Sequence, residues 1–295
     1  MEMQWPLILF TAFVAWSAGL FGTQSVLAVM GKAKKAQKPM LITSAALLVI
    51  GGVAVFFHLE HWERIFNGFG HLSSGIAQEL IAIVVLAIVM VVFFVMLRKG
   101  AGGEVPRALA IVGIVVAVAL VCVAGASYLM PARPTWNSIT EVLSLVGNAC
   151  AFGPLTALLI MTLVDSADGE GISATARIAL VGTVANAVTT IIFLIVMVIA
   201  GGSLTDVGYY FDPTHPTHAM QTVAAANPFA GGSAVTAVVA IIGAAAAAAL
   251  ALVGSKKPAP TAKVLAIAAL ACALIGAVTL RMAFYASGLS MFMFF

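Results

Sequence analysis

The chain has 295 residues, of which 62% are hydrophobic and 8% charged, and a net charge of +3. Soluble domains carry about 25% charged residues. A water-facing surface is therefore excluded, and the partners to expect are lipid and protein rather than nucleic acid.

The apolar runs are about 20 residues long, the span of a bilayer's hydrocarbon core. Only helices satisfy their own backbone there without closing a barrel. The pattern predicts an all-α, polytopic membrane helical bundle of about eight transmembrane helices in one membrane domain, residues 1–295. Span one, Trp5–Met30, has no basic leader and is long enough to cross, so the first helix itself is expected to direct insertion. A lysine-rich loop, "GKAKKAQKP", leads to span two, Leu41–Leu59. Loop two carries "HLEHWERIFNGFGH", His58–His71, and opens span three, Gly75–Leu97. Span four is Arg107–Leu129, and loop four, "YLMPARPTWNSITE", has two prolines that stiffen it before span five, Glu141–Val164. Span six is Thr175–Ala200. A long sixth loop, about Gly201–Gly232, follows it with "HPTH" and no Lys or Arg. Span seven is Ser233–Val253. Span eight, Lys263–Phe294, is too long for one straight crossing, so it tilts or lays its "MFMFF" tail at the interface.

Charge sets the expected orientation. Loops one, three, five and seven hold eleven of the basic residues, while the opposite loops hold only Arg64 and Arg133. The positive-inside rule then places the odd loops in the cytoplasm, with both termini and loops two, four and six on the outer side. Cys122, Cys150 and Cys272 lie inside apolar runs without metal-ligand spacing and read as small hydrophobic residues. No metal is expected in the chain. His215 and His218 could bind one, but no carboxylate or cysteine cluster completes a site.

Proton-handling residues gather around loop two. His58 ends span two at the lipid boundary, where an imidazole titrates near neutral pH; alternatively it is an interfacial residue at a helix end. Glu79 lies near the start of span three, where a carboxylate is costly unless paired or wet; alternatively it is a favourable first-turn charge. The loop brings the two to the same depth, and Arg64 between them is placed to hold Glu79 ionised. Arg281 lies inside span eight and shares a helix face with Tyr285. It faces a partner or cavity, or snorkels to the outer surface. All five histidines sit at the outer boundary or in outer loops, which argues against a haem held within the membrane.

Five segments in order, "EMQWPLILFT", "HLEHWERIFNGFG", "SSGIAQELI", "RPTWNS" and "RMAFYASG", resemble the membrane anchor subunit of dimethyl sulfoxide reductase-type molybdopterin oxidoreductases. The resemblance covers nearly the whole chain. It implies an anchor in the cytoplasmic membrane of a prokaryote that contains no haem and binds menaquinol near the outer face. Electrons would pass to an iron–sulfur subunit, which feeds a molybdopterin catalytic subunit on that face. The resemblance carries the functional histidine onto His58, the helix-start glutamate onto Glu79 and the loop arginine onto Arg64. Asn67, Trp136, Arg281 and Tyr285 fall in the shared segments and join the candidate quinol-binding set. The chain departs from the family in "EHWE" of loop two and in the longer sixth loop, so the terminal acceptor stays open. Two alternatives stand beside this reading. One is a secondary transporter using Arg281 and Glu79, although the sequence has no inverted repeat and no charged pair at mid-membrane. The other is a purely structural anchor.

Overall fold

A computed structural model describes residues 3–58, 70–100, 104–202, 226–257 and 259–288. They form eight helices: α1 Trp5–Val29, α2 Gln37–Phe56, α3 Gly75–Lys99, α4 Arg107–Ala126, α5 Ile139–Val164, α6 Gly169–Gly201, α7 Ser233–Gly254 and α8 Ala259–Ala286. All eight contain a stretch long and apolar enough to cross a membrane, and no strand occurs among the described residues. Alternating directions put the start of α1, the close of α8, His58 and the helix ends joined by loops two, four and six at one end of the bundle, called here the termini end. The lysine-rich loops lie at the other.

Most helix boundaries differ from the hydropathy reading by a few residues, and three of the larger differences have a local reason. The second helix begins at Gln37 rather than Leu41, because Gln37 is buried and its carbonyl accepts from Gln24 Nε2 at 2.9 Å. The sixth begins at Gly169 rather than Thr175, because Asp168 caps it through Gly171 N–H at 2.8 Å. The same carboxylate accepts from Ala33 N–H at 2.9 Å, which fastens loop one to the start of α6. The eighth ends at Ala286, short of the expected Phe294; the "MFMFF" tail lies outside the described residues.

The centre of the bundle is α5, which packs against α1, α4, α6 and α8. Helices in lipid associate through small residues that let backbones approach and through interhelical hydrogen bonds. Both devices are used here. Ser17 and Ser44 donate to each other's carbonyls at 2.7 Å, joining α1 to α2. Trp16 Nε1 donates to Thr156 Oγ1 at 2.7 Å, joining α1 to α5. Gly153 of α5 faces Gly19 of α1 so closely that a Cβ on Gly153 would overlap the Gly19 carbonyl, and a Cβ on Gly182 of α6 would overlap the Cys150 carbonyl. Around these crossings the small side chains leave an apolar cavity of about 270 Å³ between α1, α4, α5 and α6.

The Gly153 crossing is backbone against backbone, so no flexible side chain can move aside. Gly153→Ala is therefore expected to destabilise the detergent-solubilised protein by roughly 1–3 kcal/mol, the usual cost of overpacking. Thermal melts compare it with Gly52→Ala, where a Cβ meets nothing within 4 Å. Equal melts for the two variants would show that the α1–α5 approach is not tight.

At the lysine-rich end, Lys32 pairs with Glu170 at 2.8 Å, Lys35 lies 4.0 Å from Asp165, and Lys34 pairs with Glu104. The Lys34 ammonium, bonded to Glu104, holds that carboxyl below its usual range. Each pair has at least one exposed partner, so they clip loops together and add little stability.

Candidate functional site

The termini end is organised around the close of α8. Its last carbonyls take donors from loop four: Trp136 Nε1 donates to Phe284 O at 2.9 Å, Thr135 Oγ1 to Ser287 O at 2.8 Å, and Arg133 Nη1 to Gly288 O. Orphan carbonyls at a helix end need such partners, and a cation there also opposes the helix dipole. This latch ends α8 at Ala286. The Trp136 ring stacks on Phe284 with centroids 4.4 Å apart and an interplanar angle of 15°. The Arg133 guanidinium lies 4.5 Å from the Trp136 ring centre. The sequence segments "RPTWNS" and "RMAFYASG" are thus the two halves of one joint. Trp136, a candidate quinol contact from the sequence, is 4% exposed and held as part of that joint.

Beneath the latch lies a buried ion pair. Arg281, 1% exposed, donates from Nη1 to Glu141 Oε1 at 2.5 Å, and Glu141 is 0% exposed. Snorkelling of Arg281 to the surface is therefore overturned, because a carboxylate on the neighbouring helix neutralises it in place. The sequence reading that the spans contain no charged pair at mid-membrane also needs qualification. A charged pair exists, but at the helix ends: Glu141 is in the first turn of α5, and five residues of α8 follow Arg281. The guanidinium carbon lies 5.1 Å from the Phe284 ring centre and 6.0 Å from that of Tyr128.

Tyr285 lies beside Arg281 on α8, as its spacing requires, and its hydroxyl donates to the Tyr128 hydroxyl at 3.1 Å. Tyr128, 7% exposed, accepts that bond and makes edge contacts with the Trp136, Phe284 and Tyr285 rings. The neighbouring residue, Ser127, reaches Glu79: Ser127 Oγ lies 2.5 Å from Glu79 Oε1 and 2.9 Å from Ala124 O. Glu79 is 9% exposed, in the second turn of α3. A hydroxyl has one proton and cannot donate to both oxygens. A protonated Glu79 can instead donate to Ser127 Oγ while Ser127 donates to Ala124 O, so both contacts are kept.

His58 lies just past the end of α2, exposed, with its backbone N–H donating to Val55 O at 3.0 Å. It shares the termini end with Glu79, but among the described residues no hydrogen bond joins the two side chains. Glu79 is bonded to Ser127, at the end of α4, instead. His61, Arg64, Asn67, His215 and His218 lie outside the described residues. The sequence reading missed Ser127, Tyr128 and Glu141. Glu141 left one trace, a carboxylate at the same membrane depth as Arg281.

The model of one family, described as DMSO reductase anchor subunit (DmsC), matches residues 1–188. That stretch holds α1 to α5 and more than half of α6, with His58, Glu79, Trp136 and Glu141; Arg281 and Tyr285 lie beyond it. No curated protein matches the chain.

Proposed function

The chain belongs to the family of DMSO reductase anchor subunits (DmsC), and from that premise we propose that it binds menaquinol at the termini end and sends its electrons to an iron–sulfur subunit. That subunit would feed a molybdopterin catalytic subunit of the same complex. The coarser role follows from the family and the fold: a multi-pass membrane protein that anchors a DMSO reductase complex. One observation carries the finer reading. A nearly buried carboxyl, Glu79, sits at the end of the bundle with a hydrogen-bond set that accommodates its proton, at the same end as the exposed imidazole of His58.

Quinol oxidation releases two protons and two electrons. His58 accepts the hydrogen bond of one hydroxyl and takes or relays its proton. Glu79 takes a proton and passes it on, with Ser127 keeping its bonds filled in the protonated state. Arg64 and Asn67 of loop two join the binding set on the family resemblance. The electrons leave through the partner, so the chain needs neither haem nor metal. Orientation rests on charge: eleven basic residues lie at the lysine-rich end, which supports a cytoplasmic placing of that end and an outer placing of the partners, in the cytoplasmic membrane of a prokaryote.

A quinone-analogue titration of the assembled complex tests this reading. Saturable binding is expected, weakened about 10- to 100-fold by His58→Ala, the worth of one hydrogen bond to a group that can be charged. A transporter or a passive anchor would show no saturable site, and equal affinity in the variant would remove His58 from it.

A further inference from the structure

The apolar cavity of about 270 Å³ between α1, α4, α5 and α6 is a groove open to lipid. Cys150 of α5, the central helix, is exposed there, as are Val118 of α4 and Val181 of α6. Its lining is apolar apart from Cys150 and Thr23, and the Thr23 hydroxyl is already bonded to Gly19 O at 2.8 Å. Such a groove offers hydrocarbon contacts and no free hydrogen bond, so it suits a chain rather than a polar ligand. A second, basic pocket at the lysine-rich end is lined by Lys32, Glu170, Ser173, Ala174 and Arg177. Ala174, Arg177 and Val181 follow one another at i, i+3 and i+7 on one face of α6, so the pocket and the groove lie end to end along that helix. Lys32 is paired with Glu170 at 2.8 Å, which cancels two charges. Arg177 is exposed and has no hydrogen bond or ion pair among the described residues, so it leaves the pocket with one net positive charge. Helix α6 has 33 residues, more than a bilayer core requires. From Ile178 to Gly201 it rises about 36 Å, against a core of about 30 Å. With modest tilt, Arg177 therefore sits at headgroup level and Ile178 is the first residue in hydrocarbon.

We propose that one phospholipid with a net negative headgroup binds here, its phosphate on Arg177 and an acyl chain in the groove between α4 and α6. Basic pockets between transmembrane helices take such headgroups. The single charge of a phosphodiester matches the single unpaired charge of the pocket, and the Ser173 hydroxyl supplies a second donor. The chain fills the space that the small side chains leave, so the lipid is a bound part of the bundle rather than passing solvent. Menaquinol also has a long apolar tail, but no groove residue belongs to α2 or α3, whose ends carry His58 and Glu79. The inference is independent of the menaquinol reading.

Lipid titrations of the full chain, delipidated in detergent and read by native mass spectrometry, test this. Phosphatidylglycerol is expected to bind saturably at one molecule per chain. Phosphatidylcholine with the same acyl chains should bind about 5-fold more weakly, the worth of one basic residue at a headgroup. Arg177→Gln should remove that preference; the side chain is exposed and makes no bond within the protein, so its loss leaves the fold intact. Val181→Phe, which narrows the groove, should weaken both lipids alike. Equal binding of the two lipids by the wild type, or an unchanged preference in Arg177→Gln, would overturn the proposal. So would wild-type affinity in Val181→Phe, since the chain would then lie elsewhere. Glycerol phosphate, which has no acyl chain, should not compete; competition at equal concentration would reduce the site to one for free anions. Displacement of phosphatidylglycerol by a long-tailed quinone, and not by its tail-less analogue, would give the groove to the quinol tail instead.

Discussion

Glu141→Leu alone is expected to lose about 3–5 kcal/mol of folded-state stability, as when one partner of a buried ion pair is removed. Arg281 is fully buried, and Glu141 supplies its ion pair. Without it, a guanidinium that cannot shed its proton stays at the membrane end with its charge unmatched. Arg281→Leu should cost less than Glu141→Leu, because the stranded carboxylate can become neutral by taking up a proton. The double variant, Glu141→Leu with Arg281→Leu, should recover most of the loss, since an apolar pair of similar volume suits the site. Thermal unfolding of the solubilised protein gives the order: Glu141→Leu lowest, Arg281→Leu next, the double variant nearest to wild type. Equal melts for the two single variants would contradict the asymmetry argued from proton release. A double variant as damaged as the worse single one would show that the site tolerates no apolar pair.

The fold was legible because membrane physics leaves few options. Apolar runs of spanning length, separated by basic or proline-rich loops, become helices wherever they occur, and all eight do. What hydropathy could not register was partnership. Gln37 and Gly169 belong to helices because of a hydrogen bond from Gln24 and a cap from Asp168, one on another helix and one in a turn. The site divides in the same way. Glu79 and Arg281 were conspicuous as ionisable groups inside apolar runs, whereas their partners, Ser127 and Glu141, were ordinary residues at helix ends. Glu141 lies 140 positions from Arg281, and no periodicity within one helix indicates which residue of another will face it. The pairing of "RPTWNS" with "RMAFYASG" was visible only as two segments of a family resemblance. Its cause is the closing of α8 by donors of loop four.

Glu79→Gln and His58→Ala are each expected to lower menaquinol oxidation by the assembled complex by about 10²–10⁴-fold, the usual contribution of general acid–base help. The two substitutions remove the chemistry by different routes. In Glu79→Gln the new amide keeps an oxygen that accepts from Ser127, so the contact between α3 and the end of α4 persists, but an amide neither takes nor releases a proton. The His58 side chain is exposed at the end of α2, so truncating it opens no cavity and leaves insertion and partner docking intact. Electron delivery from an artificial donor that reduces the partner subunits directly should continue at the normal rate in both variants, since that path bypasses the anchor. The two rates can also be compared with the double variant, which removes both groups. If His58 and Glu79 act on one proton path, the double variant should be scarcely slower than the worse single one, because groups that act as a unit are not additive. Multiplying losses would mean separate paths for the two protons of the quinol. If both single variants oxidise menaquinol at the wild-type rate in an assembled complex, neither residue handles the proton. If they prevent assembly instead, His58 and Glu79 serve only to hold the ends of α2 and α3 in place.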